Sequence, residues 1–280
     1  MEGFMDALRL LQFEEYGAIA QFTRSDAPGA SCDSFSSLNL GLHVGDDPEV
    51  VQKNRRIAAD IAGISETRIV YAEQVHGARV AVVHADDAGR GAFDTADAIK
   101  GVDGLVSTAR GLLLAILAAD CTPVLFYDPY AGVIGAAHAG WKGTAQGVVM
   151  ETIKEMKKLG ANPEDMLVAL GPAIRGCCYE VDQPVTDALE DMYRKLATRE
   201  PIPFRVSERA AERTMVDLPT LARLQAEQLG VPHGQVIDTS ICTHCMPGFF
   251  SHRKLRGKAG RHAGFIAIKP RRLSLRGRMR

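Results

Sequence analysis

The chain is 280 residues long, with a formal net charge of −1, 46% hydrophobic residues and 24% charged residues. That is the balance of an ordinary water-soluble protein with a sizeable core, long for one domain but within the range of a layered α/β architecture. It makes no case for a nucleic-acid partner, and the longest apolar stretch, Leu112 to Ala119, is far too short to span a bilayer.

At the N-terminus, Glu2 and Asp6 stand where a secretory signal would carry basic residues, so no signal peptide is expected. Gly17 to Thr23 reads as a first strand, and Ser36 to Asp47 as a Gly-punctuated loop. Asp47-Pro48-Glu49 is a helix start, with Asp as N-cap and Pro in the first turn. Val50, Ile57 and Ile61 share one face of that helix with Asn54, and Val51, Arg55 and Ala58 form the neighbouring row. Asn54 and Arg55 therefore point coreward. Either they satisfy neighbouring backbone and snorkel, or they line an anion-binding cleft.

Arg68 to Val83 reads as two strands joined near His76-Gly77. Leu112 to Leu117, Pro123 to Tyr127 and Gly132 to Ala137 are short apolar runs, as buried strands are. Thr144 to Leu159 is an amphipathic helix ending at Gly160, and Met166 to Leu170 is another strand. Helices follow at Pro184 to Ala197 and Leu218 to Leu229, with last strands at Val236 to Ile241 and Gly264 to Ile268. From Thr239 onward there are eleven Lys or Arg and no Asp or Glu. That excess reads as a solvated basic tail at about 270–280 (Arg271, Arg272, Arg276, Arg278, Arg280) beside an acidic body. No convincing linker and no repeat interrupts the series. One α/β domain with mixed sheets, residues 1–280, is expected.

Three metal-capable residues sit where buried-type runs break off into turns: His76, Cys121 and His138. Their spacing is unlike a zinc finger, whose ligands come in close pairs. Two imidazoles and one thiolate would leave a zinc ion one open position for water and a formal charge of +1, enough to bring that water's pKa to about 7. Copper is the alternative ion, although the axial Met of a blue-copper site is not placed by the sequence. The same atoms permit a second arrangement, in which Cys121 is a nucleophile and His138 its base. Asp120 and Asp103 are the nearest carboxylates, suited to orienting a ligand His, shuttling a proton or stabilising a turn. Lys142 and the backbone of Gly140 to Gly143 could hold an anion, and Trp141 is either a core anchor or a stacking platform. Cys242-Thr243-His244-Cys245 resembles half a zinc site, with no second pair following it. We expect reduced, partly buried cysteine there, and packing for Cys177-Cys178. Phe249 to Arg253 looks like a strand edge that offers Arg253 to the cleft.

Several motifs together resemble the laccase-domain family, also called the peptidoglycan editing factor or polyphenol oxidase family. They are Gln74-Val75-His76, Asp103 to Ser107, Ala119-Asp120-Cys121-Thr122-Pro123-Val124, His138-Ala139-Gly140-Trp141-Lys142-Gly143, Gly171 to Ile174 with Cys177 to Val181, and Phe249-Phe250-Ser251. The match runs from about Ser36 to Gly264. His252 stands where Tyr is commoner, and the link from Cys245 to Phe249 is shorter than usual. The resemblance implies mixed sheets sandwiched between helix layers, α/β/β/α-like, and a metal on His76, Cys121 and His138. It also implies purine nucleoside phosphorolysis, with adenosine deamination, methylthioadenosine cleavage and correction of peptidoglycan precursors as related activities. Asn39-Leu40-Gly41 and the helix bearing Asn54 and Arg55 look like the family's too. An oxidase built on copper clusters fits less well, because only eight histidines occur and none forms a His-x-His pair.

The expectation is thus a cytoplasmic, zinc-dependent purine nucleoside enzyme. Cys121, His138, His76 and Asp120 would be at the reaction centre, and Asn39, Asn54, Arg55, Lys142 and Arg253 around nucleoside and phosphate. A thiol hydrolase acting on a peptidoglycan precursor and a non-catalytic metal-binding domain are the alternatives. Oligomeric state is left open.

Overall fold

A computed structural model describes residues 6–208 and 210–270; the expected basic tail lies outside them, apart from Pro270. In chain order the elements are β1 (Ala7–Arg9), α1 (Leu11–Glu15), β2 (Ala18–Thr23), α2 (Pro48–Ala62), β3 (Ile69–Tyr71), β4 (Val80–Val82) and β5 (Gly104–Ser107). Next come β6 (Leu113–Ala118), β7 (Thr122–Asp128), β8 (Val133–Ala139), α3 (Trp141–Gln146), α4 (Val148–Lys158) and β9 (Leu167–Leu170). The last are β10 (Glu180–Val181), α5 (Gln183–Tyr193), β11 (Phe204–Val206), β12 (Thr214–Val216), α6 (Leu218–Gln228), β13 (Val236–Asp238) and β14 (His262–Ile268).

Two mixed sheets form the middle of the molecule. One has the order β1-β2-β14-β6-β3 and the other β13-β9-β7-β8-β5-β4. Each carries parallel pairs at its edge beside antiparallel ones. Between them Phe22, Leu114, Ile116 and Ile266 meet Leu105, Leu125, Ile134 and Ala136. The alternate residues Leu113, Ala115 and Leu117 face the other way, onto Ala58, Ala59 and Ala62 of α2. The outer face of the six-stranded sheet is covered by Val149, Ile153 and Met156 of α4 and Ala222 and Ala226 of α6. Strands buried on both faces have no polar side, which is why β6, β7 and β8 are continuous apolar runs. The layers are helix, sheet, sheet, helix, as expected.

Helix α2 starts as its sequence dictates: the Asp47 carboxylate accepts from Glu49 N at 2.8 Å, with Pro48 in the first turn. The single helix expected over Thr144 to Leu159 is instead two. Gly147 at φ 82 closes α3 and opens α4, and so turns the chain between them. β10, β11 and β12 make a small third sheet that sequence periodicity did not signal. Phe249 to Arg253 is loop, not strand edge. Among the described residues no helix is long and apolar enough to cross a membrane.

Candidate active site

His76, Cys121 and His138 converge. Their ligand atoms all lie within 4.8 Å of one another, although the residues belong to three connections. His76 is in the segment that leaves β3 in one sheet and enters β4 in the other. Cys121 is in the turn by which β6 of the first sheet passes to β7 of the second. His138 is the penultimate residue of β8, paired across the ladder with Pro123. Because alternate residues of a strand share a face, that register places Cys121 beside the His138 ring. The His76 and His138 rings meet edge to face, 4.8 Å between centroids.

Asp103 holds the constellation in place. It is fully buried, and its carboxylate lies 2.8 Å from His138 Nδ1. It also accepts from the backbone N–H groups of Val75 (3.2 Å), His76 (2.9 Å) and Gly77 (2.7 Å). Those bonds offset the left-handed backbone of His76, φ 62, a conformation that costs a non-glycine residue about 1–3 kcal/mol. Burial alone would raise the Asp103 pKa, but the bonds from His138 and the backbone outweigh it and hold the carboxyl below its ordinary range. With Nδ1 engaged by the carboxylate, His138 presents Nε2 to the site, the arrangement that orients metal-bound imidazoles.

Burial likewise opposes ionisation of Cys121 and His138. Mutual attraction, with the His76 and Asp103 hydrogen bonds, outweighs it, so the thiol sits well below and the imidazole well above its usual value. A poised thiolate and two imidazoles, one exposed and one buried, form a donor set of zinc or copper softness with an open side at His76. The chemistry of the residues fits such an ion. Gly140 forms the floor beneath it: a Cβ there would stand 2.9 Å from Cys121 Sγ and 3.3 Å from His76 Cδ2. Its φ of −78 suits any residue, so Gly140→Ala is expected to fold normally yet bind zinc about tenfold more weakly. Competition against a chromogenic chelator measures this, and wild-type affinity would show that the floor does not matter.

The three ligands form one wall of a cavity of about 630 Å³, a size suited to a small molecule. Further round it stand Arg55, Arg261 and His43. The Arg55 guanidinium donates to the carbonyls of Leu40, Gly91 and Ala92 and lies 3.9 Å from the Tyr71 ring centroid. Arg261 donates to Ala259 and Gly260 carbonyls. Neither pairs with a carboxylate among the described residues, and burial lowers the pKa of both. Although its side chain reaches solvent, partial desolvation on the cavity wall, followed by the charges of Arg261 and Arg55, pushes His43 down to about 4, which leaves it neutral at pH 7. Arg55 is buried and Arg261 half-buried; cations so placed without a counter-charge are costly unless an anion joins them. The Tyr71 hydroxyl, also on this cavity, is buried with no partner among the described residues. Burial raises its pKa, so it remains a donor.

Of the other expected contacts, Arg253 does line the cavity, its guanidinium 5.3 Å from the Tyr179 ring centroid. Asp120 lines it too, but both carboxylate oxygens are engaged, by Thr243 Oγ1 at 2.6 Å and Arg253 N at 2.7 Å. With φ 87, Asp120 is a tie between loops, whereas Asp103 does the orienting. Asn39 and Asn54 are fully buried away from the cavity lining. Asn39 bonds Gly41 N, Arg261 N and Asp46, and Asn54 bonds Ala30 N, Ser31, Ser37 O and Asn39 O. Substrate contact is therefore corrected to a scaffolding role: they shape the loop that carries His43. Lys142 is exposed, its amine 5.5 Å from the Trp141 ring centroid, and neither residue lines the cavity. Trp141 packs beside Leu189, Met192 and Leu221 instead of offering a stacking platform.

Tyr179 and His252, which stood in or beside the quoted family motifs, line the cavity too, and so do His43, Arg261 and Tyr71, which the sequence did not single out. Of those three only His43 carried a local signal, the flanking glycines of Gly41-Leu42-His43-Val44-Gly45. The cysteines need a correction as well. The pair missing from Cys242-x-x-Cys245 precedes it in the chain, because Cys177 and Cys178 lie against it.

A family model described as multi-copper polyphenol oxidoreductase laccase matches residues 18–269. The chain is 44% identical over 253 residues to the purine nucleoside phosphorylase YlmD of Geobacillus stearothermophilus, covering 89% of this chain and 90% of that protein. It is 38% identical to the protein of the same name from Bacillus subtilis, over 90% and 88% of the two chains. The crystal structure of YlmD from Geobacillus stearothermophilus superposes with a TM-score of 0.89 over 96% of this chain and 98% of that one. That of the Bacillus licheniformis hypothetical protein YfiH gives 0.86 at 37% identity, over 94% and 97%.

Proposed function

The chain belongs to the multi-copper polyphenol oxidoreductase laccase family, and from that membership we propose that it is a metal-dependent purine nucleoside phosphorylase of the cytoplasm, with zinc on His76, Cys121 and His138. Relatives named purine nucleoside phosphorylase support the activity. The observation that carries it is one cavity with a soft three-donor set on one wall and two arginines without a carboxylate partner among the described residues, one buried and one half-buried, on another.

In this reading, phosphate sits against Arg55 and Arg261, and an oxygen of it attacks the anomeric carbon of the ribose. The bond to the purine nitrogen breaks, the base leaves with the electron pair, and ribose 1-phosphate remains. Neutral His43 and the Tyr71 hydroxyl supply hydrogen bonds to phosphate or sugar without adding charge. Tyr179, Ile174 and Arg253 wall the cavity and exclude water from the reacting carbon. A bound zinc ion would supply Lewis-acid polarisation and a place for a water of lowered pKa. Deamination of adenosine belongs to the same reading as a side activity of such a site.

Release of hypoxanthine from inosine, or adenine from adenosine, should require phosphate and yield ribose 1-phosphate. Turnover of fully metal-loaded protein that ignores phosphate would rule phosphorolysis out. Arg261→Ala should raise the KM for phosphate about ten- to a hundredfold, the loss of a charge-assisted hydrogen bond of about 1.5–3 kcal/mol. An unchanged phosphate KM would place the anion elsewhere.

A second reading has its own observation. Asp103, His138 and Cys121 form a carboxylate–imidazole–thiolate relay, the arrangement of a thiol hydrolase able to act on a peptidoglycan precursor. What speaks against it is His76, a third donor such a relay does not need. Full activity after chelation, lost on thiol alkylation, would favour it.

A further inference from the structure

Away from the cavity, Cys177, Cys178, Cys242 and Cys245 bring four sulfurs within 4.8 Å of one another. The contacts are shared, not paired. Cys245 Sγ lies 2.9 Å from Cys178 Sγ and 3.6 Å from Cys177 Sγ. Two disulfides would divide the four sulfurs into separate pairs, whereas Cys245 Sγ touches both Cys177 and Cys178; a tetrahedral ion with bonds of about 2.3 Å uses all four at once and places them about 3.8 Å apart. The backbone amides of Arg175, His244 and Cys245 lie close to Cys242, two of them within the same Cys-x-x-Cys turn. That turn is pinned in place, with Met246 N on Cys242 O at 2.9 Å and Thr243 N on Ala173 O at 3.0 Å. Cys242 is buried while Cys177 and Cys245 are exposed, so an ion can enter from solvent.

We propose that these four cysteines form a second, closed metal centre, a tetrathiolate zinc site that fastens the loop after β9 to the loop after β13. Loading it replaces four S–H bonds by four S–Zn bonds and releases four protons, with no change of oxidation state. The loops it joins are the ones that reach the cavity: the first supplies Ile174 and Tyr179, the second His252 and Arg253. Asp120 is bonded to Thr243, next to a cysteine of the tetrad, so the fastening extends to the residue preceding Cys121. The ion positions a wall and touches no substrate. With four protein ligands it has no open coordination site, in contrast to the three-donor centre.

Metal analysis of the full chain, produced in zinc-supplemented medium and desalted, should give two zinc ions per chain. Cys121→Ala and Cys178→Ser/Cys245→Ser should each retain one. Cobalt substitution separates the two centres spectroscopically. The ion kept by Cys121→Ala should show the strong thiolate-to-cobalt charge transfer of four sulfurs, and the ion kept by the double variant only that of one. If the double variant does not fold, Cys121→Ala decides alone. A wild type that binds one ion and loses it in Cys121→Ala would overturn the proposal, as would a disulfide to Cys245 in protein mapped from a reduced lysate. Cys121→Ala leaves the tetrad whole, so failure of this centre and failure of the phosphorolysis reading give different results.

Discussion

Cys121→Ala is expected to lower kcat/KM for inosine phosphorolysis by about a thousandfold or more, roughly 4 kcal/mol of transition-state stabilisation. Removing the sulfur leaves two imidazoles, and His138 loses the thiolate that raises its basicity. Two neutral nitrogens hold a divalent ion far less tightly than the full trio, so the variant should be purified without its first metal. Fold should survive, because Cys121 is half-buried in a turn and alanine there opens only a small space at the cavity wall. A near-wild-type melting temperature with no turnover is the expected pair of results. Unchanged turnover in metal-depleted Cys121→Ala would remove the three-donor centre from the mechanism.

Asp103→Asn should have the second-largest effect, and on two readouts together. The substituted amide keeps one acceptor but turns an NH₂ toward groups that themselves donate: the Val75, His76 and Gly77 amides and His138 Nδ1. Loss of a buried carboxylate with several charge-assisted bonds costs about 3–5 kcal/mol of stability. Loss of the partner that orients His138 should weaken metal binding about 10–100-fold. The pH dependence has a definite sign. Asp103 titrates lower folded than unfolded, so its contribution is complete above about pH 4, the unfolded value, and is lost as pH falls through the depressed one. Asp103→Asn should therefore flatten the acid limb of the stability curve. If the variant is unfolded at 25 °C, added zinc should recover part of the fold by mass action. Wild-type metal affinity in a folded Asp103→Asn would show that the carboxylate only shapes the turn.

The parts of this molecule that were legible in its sequence are those determined locally. Helix α2 announces itself through Asp47, Pro48 and one apolar face. Strands β6 to β8 do so through unbroken apolar runs, because both of their faces are covered. The three ligands stood out because soft donor types fell at the ends of such runs. The rest depends on distant partners. That β3 and β4 are neighbours in sequence but members of different sheets follows from pairing with β6 and β5, which no short window encodes. Gly147 splits a helix whose periodicity is uninterrupted. Arg261 belongs to a stretch rich in surface cations, and only its place on the cavity wall distinguishes it. Cys177-Cys178 and Cys242-Cys245 are separated by more than sixty positions, and their meeting depends on where the loops after β9 and β13 end.

The way the chain passes between its sheets has a mechanical consequence. Both transits, the one carrying His76 and the one carrying Cys121, go by the same point, while His138 is anchored in the second sheet alone. An ion held there would act as a rivet through two plates: sliding of one sheet over the other would change its bond lengths directly. Repacking Ile116 or Leu125, well inside the interface, would thus reach the reaction centre through displaced layers, without any contact with substrate.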